Sequence, residues 1–181
     1  MSTAQITLGG GCFWCIEAAL GQIEGIEKAV SGYAGGSAET ANYRAVCSGT
    51  TGHAEVVQIH YDPDKIQTEA VLEIFFTAHD PTTPNRQGND VGPQYRSVIF
   101  YHDTAQKEIA EKVIRESAAQ MYDAPIVTEL QPLEAFYPAE AEHQDYYAKV
   151  GNRNPYCTFV ISPKVNKVRK KYADRIKVTG S

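Results

Sequence analysis

The residues in this chain best suited to chemistry begin at Gly9-Gly10-Gly11-Cys12-Phe13-Trp14-Cys15. Three glycines let the backbone leave a strand sharply and keep space open beside Cys12. Cys12, Cys15, Ile16, Ala19, Leu20 and Ile23 recur at helical spacing, so a helix is predicted over 12–23 with Cys12 in its first turn. Unpaired N–H groups and the macrodipole favour an anion there, which should lower the thiol pKa and supply a reactive thiolate. The bland alternative makes Cys12 and Cys15 small apolar residues on the core face of the helix. The glycine run and two large aromatics, hard to bury together in one turn, weigh against it. A dinucleotide fingerprint would need glycine where Trp14 stands, and no Gly-Lys-Ser/Thr ending marks a P-loop. A single Cys-x-x-Cys without a second pair does not make a structural zinc site, and Cys47 and His53 could complete one only by accident of folding, so no metal is expected.

Next comes the segment Gly49-Thr50-Thr51-Gly52-His53-Ala54-Glu55. In the alternating strand that it opens, His53, Glu55, Val57, Ile59 and Tyr61 share one face, while Gln58, His60 and Asp62 lie on the other, which suits water. A carboxyl group on the apolar face is desolvated and its pKa rises, which suits a general acid; a solvent-facing strand-end glutamate is the equally weighted alternative. In Asn89-Asp90-Val91-Gly92-Pro93-Gln94-Tyr95-Arg96-Ser97, Tyr95 stands at a strand mouth, on the face of Ile99, where a hydroxyl can meet a substrate oxygen. Tyr33 sits in a glycine-rich bend, Gly32-Tyr33-Ala34-Gly35-Gly36. Taken alone, Tyr95 reads more readily as a packing aromatic, Asp90 as a turn former, and Tyr33 as a surface aromatic in a simple turn. His143, in a polar and aromatic helical stretch, reads as a structural hydrogen-bonder.

These residues need a frame. The 181 residues make one domain, large enough to bury about 70% of its unfolded surface without a staple. Hydrophobic residues at 43% and charged residues at 22% exclude a disordered chain. Seventeen basic against twenty-two acidic residues, a net charge of −5, argue against a nucleic-acid or membrane-surface binder. No leader-like start and no apolar run of about eighteen residues appears, and four irregularly spaced cysteines are no secreted scaffold. A reducing cytoplasm is therefore expected. Strands are predicted at 5–8, 26–32, 53–62, 95–101, 127–130 and 157–161, and helices at 12–23, 68–79, 105–122 and 140–150. A basic helical tail follows Pro163 and reads as a solvated face. The core order strand, helix, strand, strand, helix, strand predicts an α+β fold: a split βαβ (ferredoxin-like) two-layer sandwich with a mainly antiparallel sheet. Gly32–Gly52 and Pro81–Gln94 lack periodicity and read as functional loops.

Around Gly11-Cys12-Phe13-Trp14 the sequence resembles the A-type peptide methionine sulfoxide reductases. Tyr43-Arg44-Ala45-Val46-Cys47-Ser48-Gly49, Thr51-Gly52-His53-Ala54-Glu55, Phe75-Phe76, Asp80-Pro81-Thr82, the Asp90–Ser97 block and His143-Gln144-Asp145-Tyr146 extend the likeness in the family's order, from about residue 5 to about residue 165. The resemblance implies a single catalytic domain over 1–181, its core about 5–165 and its basic tail about 164–181. It implies Cys12 as nucleophile, Phe13 and Trp14 as the wall for the S-methyl group, and Glu55 as proton donor. Tyr33 and Tyr95 would hydrogen-bond the oxygen, and Asp90 would support the site. It further implies the S epimer of methionine sulfoxide, free or in proteins, as substrate, and thioredoxin as reductant with no bound cofactor.

One departure matters. Many relatives carry glycine where this chain has Cys15 and recycle through tail cysteines, yet no cysteine follows Cys157 here. Cys47 looks structural within its block. Cys15, three residues from Cys12 on the same helical face, is the favoured resolving thiol, and Cys157 is the rival. Two other readings stay open: a thiol–disulfide oxidoreductase using Cys12-x-x-Cys15, and a non-catalytic peptide-binding module using Trp14 and the tyrosines.

Overall fold

The computed structural model describes residues 3–88, 90–144, 146–150, 153–155 and 161–176. Strand β1 (Ala4–Gly9) leads into helix α1 (Phe13–Gly21), then β2 (Ile26–Ala34), a short helix α2 (Tyr43–Cys47), β3 (Ala54–Tyr61) and α3 (Thr68–Ala78). A small hairpin, β4 (Arg86–Gln87) and β5 (Asp90–Val91), precedes β6 (Val98–Tyr101). Helix α4 (Thr104–Val113) widens into a π turn at Ile114–Ala118 and ends as α5 (Ala119–Met121). Then come β7 (Glu129–Pro132), β8 (Tyr137–Pro138), α6 (Tyr146–Val150) and α7 (Ser162–Lys171). The fold is mixed α+β. Its main sheet runs β7-β6-β1-β3-β2-β8 and is antiparallel except for the β6–β7 pair.

Apolar alternation decides which face of the sheet the helices cover. Ile6, Leu8, Val57, Ile59 and Ile99 share one core with Ile16, Leu20, Val71, Leu72 and Phe75 of α1 and α3. The opposite face is not simply wet, as the sequence suggests: Ala54 and Val56 pack with Ala34, Val98 and Phe100 under Leu133 and Phe136. Helix α4 starts where the Asp103 side chain accepts from the Gln106 N–H at 2.8 Å, an N-cap that satisfies one orphan donor. Among the described residues no helix is long and apolar enough to cross a membrane.

Two sequence expectations need correction, and a third lies almost wholly outside the described residues. The strand expected from Tyr95 begins only at Val98, because Pro93–Tyr95 form a 3₁₀ turn after Gly92, so Tyr95 does not share a strand face with Ile99. The helix expected over 140–150 is a 3₁₀ turn, Ala141–His143, followed by α6. The final strand expected at 157–161 falls outside the described residues except for Ile161, which leads into α7.

The turn between β1 and α1 positions everything that follows. Gly11 has φ +92°, a left-handed conformation that favours glycine. A Cβ at Gly10 would lie 2.7 Å from the His79 ring. That ring is locked: Nδ1 donates to the Phe75 carbonyl at 2.7 Å, and Nε2 pairs with the Ser97 hydroxyl at 2.7 Å. A carbonyl only accepts, so Nε2 is the acceptor of the neutral ring. Burial pushes the His79 pKa down to about 3 and keeps it neutral. Gly10→Ala is therefore expected to cost about 1–3 kcal/mol by overpacking, a fall in Tm of about 2–4 °C per kcal/mol. Thermal unfolding with an unchanged Tm would contradict this account of the turn.

Candidate active site

Cys12 is the N-cap of α1, with extended backbone angles, and is 5% exposed. Two successive N–H groups of the first turn are divided between two acidic groups. The Phe13 N–H donates to Glu55 Oε1 at 3.1 Å, and the Trp14 N–H is directed to the Cys12 sulfur. The Cys12 thiol also hydrogen-bonds the Cys15 sulfur, and the Cys15 N–H donates to the Cys12 carbonyl at 3.0 Å.

The expected thiolate is overturned at rest. Burial, then the Cys15 hydrogen bond and the charge of Glu55, push the Cys12 pKa well up, and the Trp14 N–H opposes them without winning. The helix-terminus argument has the right sign; desolvation of a nearly enclosed thiol outweighs it.

Glu55, 1% exposed, lies on the core face of β3 as the alternation predicts. Burial raises its pKa to about 8; the Phe13 N–H works against this, and the Asp90 charge adds to it. Its Oε2 has no hydrogen-bond partner among the described residues. A carboxyl that is mostly protonated at neutral pH, with one oxygen pinned and the other unpartnered, is poised to give a proton.

Aromatic rings enclose this pair. Phe13 is fully buried, and Trp14, half-buried, stacks on Tyr146 of α6 with centroids 3.8 Å apart and planes at 9°. Phe13 lies 5.7 Å from the Tyr33 ring. Tyr43, at the start of α2, reaches both Phe13 and Trp14 and packs on His143 at 4.3 Å. His143 is thus a ring in the cluster rather than the hydrogen-bonder the sequence suggests: its buried Nδ1 has no hydrogen-bond partner among the described residues.

The two tyrosines are held differently. Tyr95 is half-buried, and burial followed by the charges of Glu55, Cys47 and Asp90 raises its pKa, which places it beside the acid. Tyr33 is fully buried and its hydroxyl donates to Glu140 Oε1 at 2.8 Å. Asp90 is felt by both Glu55 and Tyr95. The structure therefore brings together Cys12, Cys15, Phe13, Trp14, Tyr33, Glu55, Asp90 and Tyr95; Cys157 lies outside the described residues. Cys47 is exposed, with the Tyr43 hydroxyl on its sulfur.

Sequence reading missed Tyr43, Glu140 and Arg96. Tyr43 stood inside a loop already judged functional, and its aromatic character was the available signal. Arg96 binds three segments of the rim at once: it donates to the carbonyls of Pro93 at 2.9 Å and Gly52 at 3.1 Å and pairs with Glu129 at 3.2 Å. Nothing local in the sequence announces the Glu140 contact, made across 107 residues.

The raised Glu55 pKa has a stability signature. Between the ordinary 4.5 and about 8 the unfolded chain ionises Glu55 while the folded chain retains the proton. The native state then binds more protons, so this residue's contribution falls as pH rises, by about 1.4 kcal/mol per unit. It levels off above about 8. Glu55→Gln removes the titration. Urea unfolding from about pH 5 to pH 8 should show the variant gaining steadily on the wild type; a constant difference would place Glu55 at an ordinary pKa.

Comparison with known proteins shows the family. The family model for peptide methionine sulfoxide reductase matches residues 4–176. The peptide methionine sulfoxide reductase MsrA of Natronomonas pharaonis is 53% identical over 175 residues, covering 96% of this chain and 98% of its own. The crystal structure of Mxr1 from Saccharomyces cerevisiae in reduced form superposes with a TM-score of 0.79 at 36% identity, over 83% of this chain and 87% of that one. Mxr1 in complex with Trx2 superposes at 0.52 and 27% identity, over 80% and 84%. Matched over residues 4–176 by the family model and over almost its whole length by a relative 53% identical, this chain belongs to the peptide methionine sulfoxide reductase family of oxidoreductases.

Proposed function

We propose that the chain reduces the S epimer of methionine sulfoxide, free or in proteins, through Cys12 and Glu55, acting as one catalytic domain in a reducing cytoplasm. The finer fold reading belongs with this: the central strand order β6-β1-β3-β2, with α1 and α3 as crossovers, supports a split βαβ core. The observation that carries the functional reading is the buried, mostly protonated Glu55 pinned by the Phe13 N–H beside the Cys12 N-cap.

A sulfoxide sulfur is a poor electrophile until its oxygen gains a proton or a strong hydrogen bond. Glu55 supplies that proton. The carboxylate left behind takes up the Cys12 thiol proton, so the raised thiol pKa is no obstacle once substrate is bound. The Cys12 sulfur then forms a bond to the sulfoxide sulfur. Breakdown leaves a thioether and a Cys12 sulfenic acid: one oxygen atom has moved, the sulfoxide is reduced by two electrons and Cys12 is oxidised by two. Phe13 and Trp14 shelter the S-methyl group, Tyr33 and Tyr95 hydrogen-bond the oxygen, and Asp90 supports them.

Recycling runs through Cys15. Its thiol is hydrogen-bonded to that of Cys12. Condensation of the sulfenic acid with the Cys15 thiol forms a disulfide and releases water, and a thioredoxin dithiol then reduces the bridge by exchange. The structural neighbour bound to Trx2 supports that choice of reductant. The Cys12–Cys15 contact would also serve a plain thiol–disulfide oxidoreductase, but such an enzyme has no use for Glu55.

With dithiothreitol as reductant, the S epimer should be reduced and the R epimer left untouched; no product from either would reject the assignment. Cys12→Ser should abolish turnover with the fold intact. After one equivalent of substrate, peptide mapping should find a Cys12–Cys15 bridge. Cys15→Ser should keep single-turnover product and lose cycling with thioredoxin. Normal cycling in Cys15→Ser together with failure in Cys157→Ser would transfer the resolving role to Cys157.

A further inference from the structure

The segment after β8 is anchored to β2 close to Tyr33. The Ala139 N–H donates to the Ser31 carbonyl at 2.8 Å, and Gln144 pairs with both backbone groups of Ser31 at 2.9 Å. Tyr146 stacks on Trp14. Between these anchors, Glu140 uses each carboxylate oxygen for a different element of the site. Oε1 accepts from the Tyr33 hydroxyl at 2.8 Å, and Oε2 accepts from the Tyr43 N–H at 3.0 Å.

This arrangement sets a polarity. A hydroxyl has one proton, and an ionised carboxylate can only accept. Partial burial alone would raise the Glu140 pKa, but the Tyr43 N–H, its own N–H and the Tyr33 hydroxyl hold it below the usual carboxylate range, so it is charged at neutral pH. The Tyr33 proton is therefore committed to Glu140, and only the lone pairs of its oxygen remain for a third group. The Tyr95 hydroxyl makes no hydrogen bond among the described residues, and its proton is uncommitted. Two tyrosines of the same site thus differ in what they can do.

We propose that Glu140 is a positioning residue that fixes Tyr33 as a hydrogen-bond acceptor, so that Tyr95 donates to the sulfoxide oxygen while Tyr33 receives the O–H created when Glu55 protonates it. The proposal rests on the sulfoxide reading above. A charge-assisted phenol oxygen is a strong acceptor, and an O–H forming in a dry site needs one. Phe at position 33 removes the acceptor. Gln at position 140 can keep its carbonyl on the Tyr43 N–H and donate its amide to the Tyr33 oxygen, which reverses the hydroxyl and puts two donors against the new O–H.

The test is a double-mutant cycle on the full chain, read by single-turnover reduction of the S epimer at saturating substrate and by substrate affinity. Glu140→Gln should slow the single turnover at least about tenfold, short of the 10²–10³ lost with a whole oxyanion donor, with affinity nearly unchanged. In a Tyr33→Phe background the same substitution should have no further effect. Glu140→Asp, which keeps the carboxylate, should recover part of the rate. The Ser31 and Trp14 anchors do not involve Glu140, so the fold should survive, and an unchanged near-UV spectrum checks this. A wild-type rate in Glu140→Gln, or losses that add to those of Tyr33→Phe, would overturn the proposal. Losses in Glu140→Gln accompanied by a changed spectrum, with no recovery in Glu140→Asp, would overturn it too, making Glu140 a plain structural anchor. Failure of the wild type to reduce the S epimer at all would instead reject the underlying reading.

Discussion

Everything in this site depends on the first turn of α1, where two backbone N–H groups hold two buried acids in neighbouring positions. The Phe13 N–H fixes Glu55 and the Trp14 N–H faces the Cys12 sulfur. Ordinarily a helix start invites negative charge. Here burial is nearly complete, and it drives both groups toward their neutral forms. The result is a resting Cys12–Glu55 pair with no charge of its own, in which charge separates only when an oxygen arrives to accept the Glu55 proton. The carboxylate formed at that moment is already hydrogen-bonded to a helix N–H, so the turn that looks wasted on a neutral acid is matched to its ionised product.

The scaffold serves that turn. Strand β1, paired on both sides, delivers the glycines; the locked His79 ring lies against Gly10 and Gln87 against Gly11. Strand β3 delivers Glu55 from the next position in the sheet. The aromatic cluster supplies dryness: with Phe13 fully buried and Trp14 covered by Tyr146, the pair sits in a medium where a single proton transfer has large electrostatic consequences. The connections between β2 and β3 and between α3 and β6, which carry Tyr43, Asp90 and Tyr95, close the remaining sides. Arg96 ties two of them together through the Pro93 and Gly52 carbonyls.

Local pattern was enough to recover most of this frame. The helical spacing from Cys12 to Ile23 and the alternation from His53 to Asp62 put Cys12 at a helix start and Glu55 on the buried face, and both hold. What local pattern could not weigh was competition. The helix terminus by itself lowers the Cys12 pKa, and the burial that reverses it belongs to the folded whole. The apolar run Val98-Ile99-Phe100-Tyr101 marks a strand but not where it starts, and Pro93 opens a 3₁₀ turn that keeps Tyr95 outside it. Nothing near Tyr33 in the sequence distinguishes it from Tyr95, because the Glu140 carboxylate that does so lies 107 residues from Tyr33.

The central claim is that Glu55 carries a proton at neutral pH, and the most direct measurement is infrared difference spectroscopy of the carboxyl group, wild type minus Glu55→Gln, followed through a pH titration. The account predicts a protonated carboxyl stretch that persists through pH 7 and gives way to carboxylate bands with a midpoint near 8. Carboxylate bands already complete at pH 6, with a midpoint near the ordinary 4.5, would contradict it.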